Sequence, residues 1–326
     1  MPKPNRPAVG GFHAGELAVQ RRAGVEAEAA RLTPMVEPAQ LRGGIAAFLA
    51  DRTFAVLTAR DPAGRLWASP LTGPAGFLAV TSPTTLQVTA SIPATDPLHT
   101  LPPGQQVGLI VVEFAGRRRV RLNGTLTDTS AGRLVVEVDQ AFGNCPQYIQ
   151  QRVLDPDHSR PEADFENARQ GGTFDAADVD LIRGADTFFL GTAHPERGAD
   201  ASHRGGAPGF VRVEGNQLWW PDYPGNNLFN SFGNLAVNPE AALLFIGFRT
   251  GAVLHLSGTA SIQWGLAGMP GDDGRTGRRV RFGLQRLVAD HSLPVREVAY
   301  RPYSRNPELT GPPSVVFDMP AICTGS

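Results

Sequence analysis

The residues best suited to chemistry in this chain crowd into two short polar segments of its second half. One is Ser202-His203-Arg204-Gly205-Gly206 and the other is Asp222-Tyr223-Pro224-Gly225-Asn226-Asn227. Together they offer hydroxyl, imidazole, guanidinium and amide donors beside glycines that let a backbone come close, a combination suited to an anionic group. Arg204 leads the candidates, because a guanidinium presents several donors in a fixed fork. Ser202 and His203 are placed to donate beside it. Asn226 and Asn227 carry amide donors, and their bland role is turn chemistry after Gly225. Asp222 sits awkwardly beside an anion and is expected at the polar edge of a ligand or as a cap of the following turn.

The elements around these segments read as strands. Thr187–Ala193 is an apolar run leading into the first polar segment. Pro208–Val213 turns through Glu214-Gly215-Asn216 into Gln217–Trp220, which runs into the second. After a short helix-like piece, Ala241–Phe248 and Ala252–Ser261 follow. Strands with turn signals at such short spacing favour a small antiparallel barrel over alternating βα units. Trp219 and Trp220 point to opposite faces of their strand, one into a core and the other toward a ligand or a partner.

This pattern resembles the pyridoxamine 5′-phosphate oxidase-like family of FMN-binding split barrels. The resemblance rests on the strand pair, Arg204 after the first hairpin, the Asp222–Asn227 turn and the Gly-Asn-Leu…Asn-Pro-x-Ala-x-Leu-x-Phe run from Gly233 to Phe245. It extends to Phe12–Val25, FHAGELAVQRRAGV, and to Phe142–Gln150, FGNCPQYIQ. It implies bound FMN and a flavin oxidoreductase acting on a small organic substrate, with NAD(P)H or a separate reductase as electron donor and a homodimer as the assembly. The cofactor residues it implies are Thr192 (through its main chain), Ser202, His203, Arg204, Asp222, Tyr223, Asn226 and Asn227, with Asn144 and Tyr148 reaching the flavin from between barrels. The family's Arg-x-Val-Leu-Leu-Lys strand, whose cations help hold phosphate, is read here onto Phe188–Ala193 and lacks them, which argues against vitamin B6 oxidation. The alternatives are a non-catalytic flavin-binding or redox-sensing protein, or a barrel holding deazaflavin F420 or haem, with His203 or His255 as the axial candidates. No catalytic residue is assigned.

An internal repeat sets the expected architecture. At an offset of 134 positions, Thr53-Phe54 falls on Thr187-Phe188, Phe114 on Phe248 and Gly124-Thr125 on Gly258-Thr259. The chain is therefore expected to be mainly β (α+β), with two tandem split barrels and short flanking helices. The expected parts are an N-terminal helical arm (1–36), a first, degenerate barrel with a trailing helix (37–155), a connector (156–174), a second, flavin-binding barrel (175–264) and a C-terminal loop, strand and tail (265–326). Helices are expected near Ala14–Leu32, Pro38–Ala50 and at the end of Leu134–Leu154. The first copy has Pro70–Gly73 where the second has His203–Gly206, and no amide pair in Ile92–Pro97. One intact site per chain is expected, with the first barrel kept for packing.

Composition narrows the remaining classes. A formal net charge of −1 over 326 residues gives no electrostatic reason for nucleic acid or an anionic membrane as partner. The runs Arg117-Arg118-Arg119 and Arg278-Arg279 read as solvated charges. No apolar run reaches the ~18 residues of a membrane span and no secretory leader is visible, so a cytoplasmic protein is expected. Two cysteines and seven scattered histidines build no disulfide framework or metal cluster, and Cys145 reads as buried and structural. Gly-x-Ser-x-Gly, phosphate-loop and dinucleotide-binding motifs are absent.

Overall fold

The computed structural model describes residues 10–38, 40–130, 132–156, 168–291 and 293–310. Their periodic apolar runs form two antiparallel sheets of one design. The first holds β1 (Phe54–Arg60), β2 (Leu66–Thr72), β3 (Leu78–Val80), β4 (Thr85–Thr89), β5 (Gln106–Glu113), β6 (Arg118–Ser130) and β7 (Arg133–Gly143), in the spatial order β2-β1-β5-β6-β7-β4-β3. Two short strands follow, β8 (Gln151–Pro156) and β9 (Arg169–Gly171). The second sheet holds β10 (Thr187–His194), β11 (Gly198–Gly205), β12 (Arg212–Glu214), β13 (Gln217–Pro221), β14 (Glu240–Ile246), β15 (Val253–Gln263) and β16 (Arg279–Asp290). Its order, β11-β10-β14-β15-β16-β13-β12, repeats the first strand for strand. A last strand, β17 (Val295–Arg301), pairs with β8, and β9 adds to the edge of β16.

The repeat also reproduces a defect. β6 shifts register between Asn123 and Gly124, and β15 shifts between Ser257 and Gly258. A bulge bends a long strand and tightens its twist, which closes a sheet into a barrel. The glycines are required there: a Cβ would stand 2.1 Å from the Glu137 carbonyl oxygen at Gly124, and 2.1 Å from that of Gly283 at Gly258. This explains why Gly124-Thr125 and Gly258-Thr259 survive in both copies.

Helices fill the flanks. α1 (Ala14–Ala23) starts at His13, which forms a reciprocal capping box with Glu16, and ends at Gly24 in the left-handed region. α2 (Glu26–Ala30) is a separate piece, so the single helix expected to Leu32 is broken at Gly24. α3 (Gly44–Ala50) begins later than expected, and α4 (Ala176–Gly184) is its counterpart in the second copy. α5 (Asn230–Val237) links β13 to β14. Its counterpart between β4 and β5 is a series of turns. The helix expected within Leu134–Leu154 is absent: β7 runs to Gly143, Pro146 interrupts, Tyr148 takes a left-handed φ of 64°, and β8 follows. Among the described residues no helix is long and apolar enough to cross a membrane.

The barrels share a core. β11 lies against β5 and β6, while β2 lies against β14 and β15, as an internal two-fold relation requires. Phe54, Phe114, Phe189 and Phe248 meet between the sheets, with Phe114 and Phe248 edge to face at 5.3 Å between centroids. The buried Arg152 guanidinium lies 4.3 Å over Phe248 and pairs with Asp186 and Glu297. Backbone approaches closely as well: a Cβ on Gly108 would lie 2.7 Å from the Asp200 backbone, and one on Gly191 2.6 Å from Thr58. Phe248→Ala is expected to cost about 3–5 kcal/mol in urea unfolding. A loss below about 1 kcal/mol would mean that the two barrels do not depend on this shared core.

Candidate functional site

Between the barrels, on the side of α5, lie two contiguous clefts. Arg121, Arg204, Tyr223, Gly225 and Asn226 line both. The smaller adds Asp222, Asn227, Arg278 and the first turn of α5 with its flanking Phe229. The larger adds Arg119, Asn144, Cys145, Tyr148, His203 and Trp220. The first barrel thus contributes one wall, through β6 and the segment after β7. The reading of that barrel as packing alone is corrected.

Arg119 and Arg121 occupy alternate positions of β6, so both side chains leave the same face of the sheet. Arg121 reaches Asp200 of β11 with two bonds of 3.1 and 3.2 Å, and Asp200 also accepts from Ser231 Oγ at 2.9 Å. Arg278 grips Asp222 through Nε and a terminal nitrogen, both at 2.9 Å. The basic runs are therefore only partly solvated: Arg118 is exposed and pairs with Glu113, whereas Arg119 and Arg278 enter the clefts. Arg204 has no carboxylate within ion-pair distance among the described residues, and its guanidinium lies 5.5 Å over Phe232. Burial and the neighbouring Arg121 lower its pKa to about 10, against the raising influence of Asp222. Burial, Arg121 and Arg204 lower that of Arg119 to about 9.

His203 is held neutral by burial and by Arg119, Arg152, Arg204 and Arg121 around it. Arg119 donates to its Nδ1 at 3.0 Å, so the ring proton sits on Nε2. That Nε2 has no partner, and it has company. Nε of Arg119, Arg121 and Arg204, both amide atoms of Asn144, Trp220 Nε1 and the Tyr223 hydroxyl are also buried without a hydrogen bond. Buried polar atoms are normally satisfied, and a concentration of orphans along one cleft marks where a ligand's polar groups belong.

The turn before α5 is shaped for the cleft. Asn226 Oδ1 accepts from Leu228 N at 3.2 Å, and Asn227 and Phe229 hold positive φ values of 58° and 59°. Phe229 places no side-chain cap on α5. The first amides of the helix therefore lack a capping partner where Asn230, Ser231 and Phe232 line the smaller cleft.

Of the residues expected at the site, Arg204, His203, Asp222, Tyr223, Asn226, Asn227, Asn144 and Tyr148 all line the clefts. Thr192 does not. It lies in a strand paired on both sides, and its hydroxyl accepts from Asn234 Nδ2 at 3.0 Å. Ser202 is buried behind the wall, donating to the Leu190 carbonyl, with its hydroxyl 3.1 Å from that of Ser231. The Asp222 carboxylate serves Arg278 and also takes the backbone N–H of Tyr223. Cys145 is half-exposed in the larger cleft, not buried. Sequence reasoning missed Arg119, Arg121, Arg278 and the start of α5; the Arg-Val-Arg alternation at 119–121 was the available signal.

The counterpart groove of the first barrel is closed. His255 takes the place that the repeat assigns to Arg121; fully buried, it donates from Nδ1 to the Ala68 carbonyl at 2.9 Å, with Asp96 3.7 Å from Nε2. Asp96 accepts from Ser69 Oγ and Leu98 N, each at 2.7 Å.

Residues 174–265 match the family model of pyridoxamine 5′-phosphate oxidase. That match spans most of the second barrel. Similar solved structures each cover about a third of this chain. HupZ of Group A Streptococcus is 15% identical, with 37% of this chain and 97% of that one covered at a TM-score of 0.30. A putative pyridoxamine 5′-phosphate oxidase of Lactobacillus delbrueckii is 11% identical, covering 36% and 94% at 0.29. A FAD-binding protein of Mesorhizobium loti is 12% identical, covering 37% and 96% at 0.27. No curated protein matches the sequence.

The N-terminal arm braces α5. Asn230 Nδ2 donates to Glu16 at 2.6 Å, His13 Nε2 to Asn234 Oδ1 at 3.1 Å, and Gly15 packs where a Cβ would lie 2.3 Å from the Gly233 carbonyl oxygen. Burial raises the Glu16 pKa from 4.5 to about 7 and, with His194, lowers that of His13 from 6.5 to about 4. The signs oppose. The Glu16 penalty grows as pH rises from 4.5 to 7, because the unfolded chain loses its proton first. His13 costs stability as pH falls from 6.5 to 4, because the unfolded chain binds a proton first. Glu16→Gln should therefore leave stability rising with pH across 4–6.5, and His13→Gln should leave it falling toward pH 7. Urea midpoints measured across this range check both slopes, and parallel profiles for the two variants would refute the assignment.

Proposed function

We propose that the clefts bind FMN and that the chain is a flavin-dependent oxidoreductase acting on a small organic substrate. The observation that carries this reading is a set of orphaned buried donors along the clefts, Nε of Arg121 and Arg204, Trp220 Nε1 and the Tyr223 hydroxyl, together with the uncapped N-terminus of α5. A phosphate is the anion such an end favours, held by backbone amides, by Arg204 as the unpaired cation and by Arg121 at the shared wall. Tyr148 and Tyr223, with ring centroids 4.9 Å apart, and the neighbouring Trp220 and Phe210 supply the aromatic surface for a flat ring. When bound, the flavin supplies hydride and electron chemistry; these residues bind it, orient it and exclude water.

Haem fits the donor set less well. An iron would need the lone pair of His203 Nε2, but Arg119 can only donate, which places the proton on that nitrogen. His255 is enclosed away from the clefts. That both walls come from one chain supports a groove completed without a second copy.

The visible spectrum of the purified protein tests the reading, with the chromophore released by denaturation and identified by mass. FMN is expected, and Arg204→Ala should weaken its binding by about tenfold or more, the worth of a charge-assisted hydrogen bond. A Soret band, or a chain that takes up no added FMN, would contradict it; released F420 would keep the site but change the cofactor.

A further inference from the structure

The charges along the clefts do not balance at one end. Arg121 is matched by Asp200 and Arg278 by Asp222, while Arg204, which is unpaired, lines both clefts and reaches the one at the start of α5. Arg119 lines only the larger cleft. No carboxylate lies within ion-pair distance of it among the described residues, and its one side-chain hydrogen bond goes to the neutral His203. An imidazole acceptor satisfies a donor without neutralising the charge. Nε of Arg119 remains buried and unpartnered.

Asn144 stands beside it, its backbone N–H donating to the Arg119 carbonyl at 3.2 Å. Both side-chain amide atoms of Asn144 are buried without partners. A guanidinium and a free amide side by side match a carboxylate with a hydrogen-bonding neighbour. With Arg204 given to the phosphate, Arg119 is left as one further uncompensated cation in the larger cleft, which suits one negative charge better than a phosphate dianion. FMN has a single phosphate, which the α5 end accounts for, so the Arg119 end is left for another molecule.

We propose that Arg119 and Asn144 form a second anion subsite in the larger cleft, which binds the carboxylate of a small organic acid as substrate. The subsite rests on the flavin reading for its role, though not for its existence. Arg119 forks the carboxylate, Asn144 meets the adjacent polar group, and His203 orients Arg119 from behind. Substrates of this site are small monocarboxylic acids, and their amides and esters bind poorly.

The test uses the full chain loaded with FMN, titrated with benzoate and with benzamide while the visible flavin band is recorded. Benzoate is expected to perturb the band and benzamide is not. Arg119→Gln should keep FMN affinity within about threefold and weaken benzoate by about tenfold or more, with partial recovery in Arg119→Lys. Should Arg119→Gln fail to fold, Asn144→Ala carries the same test, with benzoate about threefold or more weaker and FMN binding kept. Equal responses to the two probes would overturn the subsite, as would loss of FMN from Arg119→Gln, which would assign Arg119 to the cofactor. A wild-type chain that takes up no FMN defeats the flavin reading instead. The subsite is then read by calorimetric titration of benzoate: binding that depends on Arg119 upholds it, and no binding overturns it.

Discussion

The close approach of the two barrels is the constraint on which the rest depends. At Gly108 and Gly191 the sheets come near enough that a single methyl group would collide with the opposite barrel. That approach presses β11 against β5 and β6, and so sets the β6 arginines across from His203, Arg204 and Asp200. The four phenylalanines and Arg152 hold the contact from the other side. A cleft built this way is preorganised: its donors are fixed by the fold before any ligand arrives.

The same two-fold relation creates two grooves and lets only one stay open. In one, Arg121 meets Asp200 and the turn before α5 leaves helix amides free. In the other, His255 fills the corresponding place, Asp96 caps a turn with its own carboxylate, and no helix forms between β4 and β5. A few buried polar residues thus distinguish two grooves of the same backbone design. The first barrel is then a structural wall that also carries cations, which a division into an active and an inactive copy overlooks.

Much of this was legible in the sequence, for physical reasons that can be named. The repeat could be read because the bulge glycines at 124 and 258 tolerate no side chain, so both copies kept them. Arg204 and the Asp222–Asn227 turn could be read because donors and glycines cluster locally. What could not be read was set by tertiary contact. A run of three arginines looks solvated until β11 covers one side of its strand. The segment after Gly143 looked helical from composition, but Pro146 and the left-handed Tyr148 turn it along Gly205, where a Cβ would stand 2.0 Å from the Tyr148 carbonyl oxygen. Thr192 and Ser202 were of the right type beside the right neighbours, yet strand pairing turned them away from the cleft.

The central claim is that one chain completes one cofactor groove and closes the other. The most direct measurement is the stoichiometry of FMN binding, from a tight-binding absorbance titration with the assembly mass measured on the same sample. One FMN per chain, whatever the assembly, is the predicted result. One per two chains would mean that a second copy supplies a wall, and two per chain would mean that the His255 groove is open; either contradicts the account.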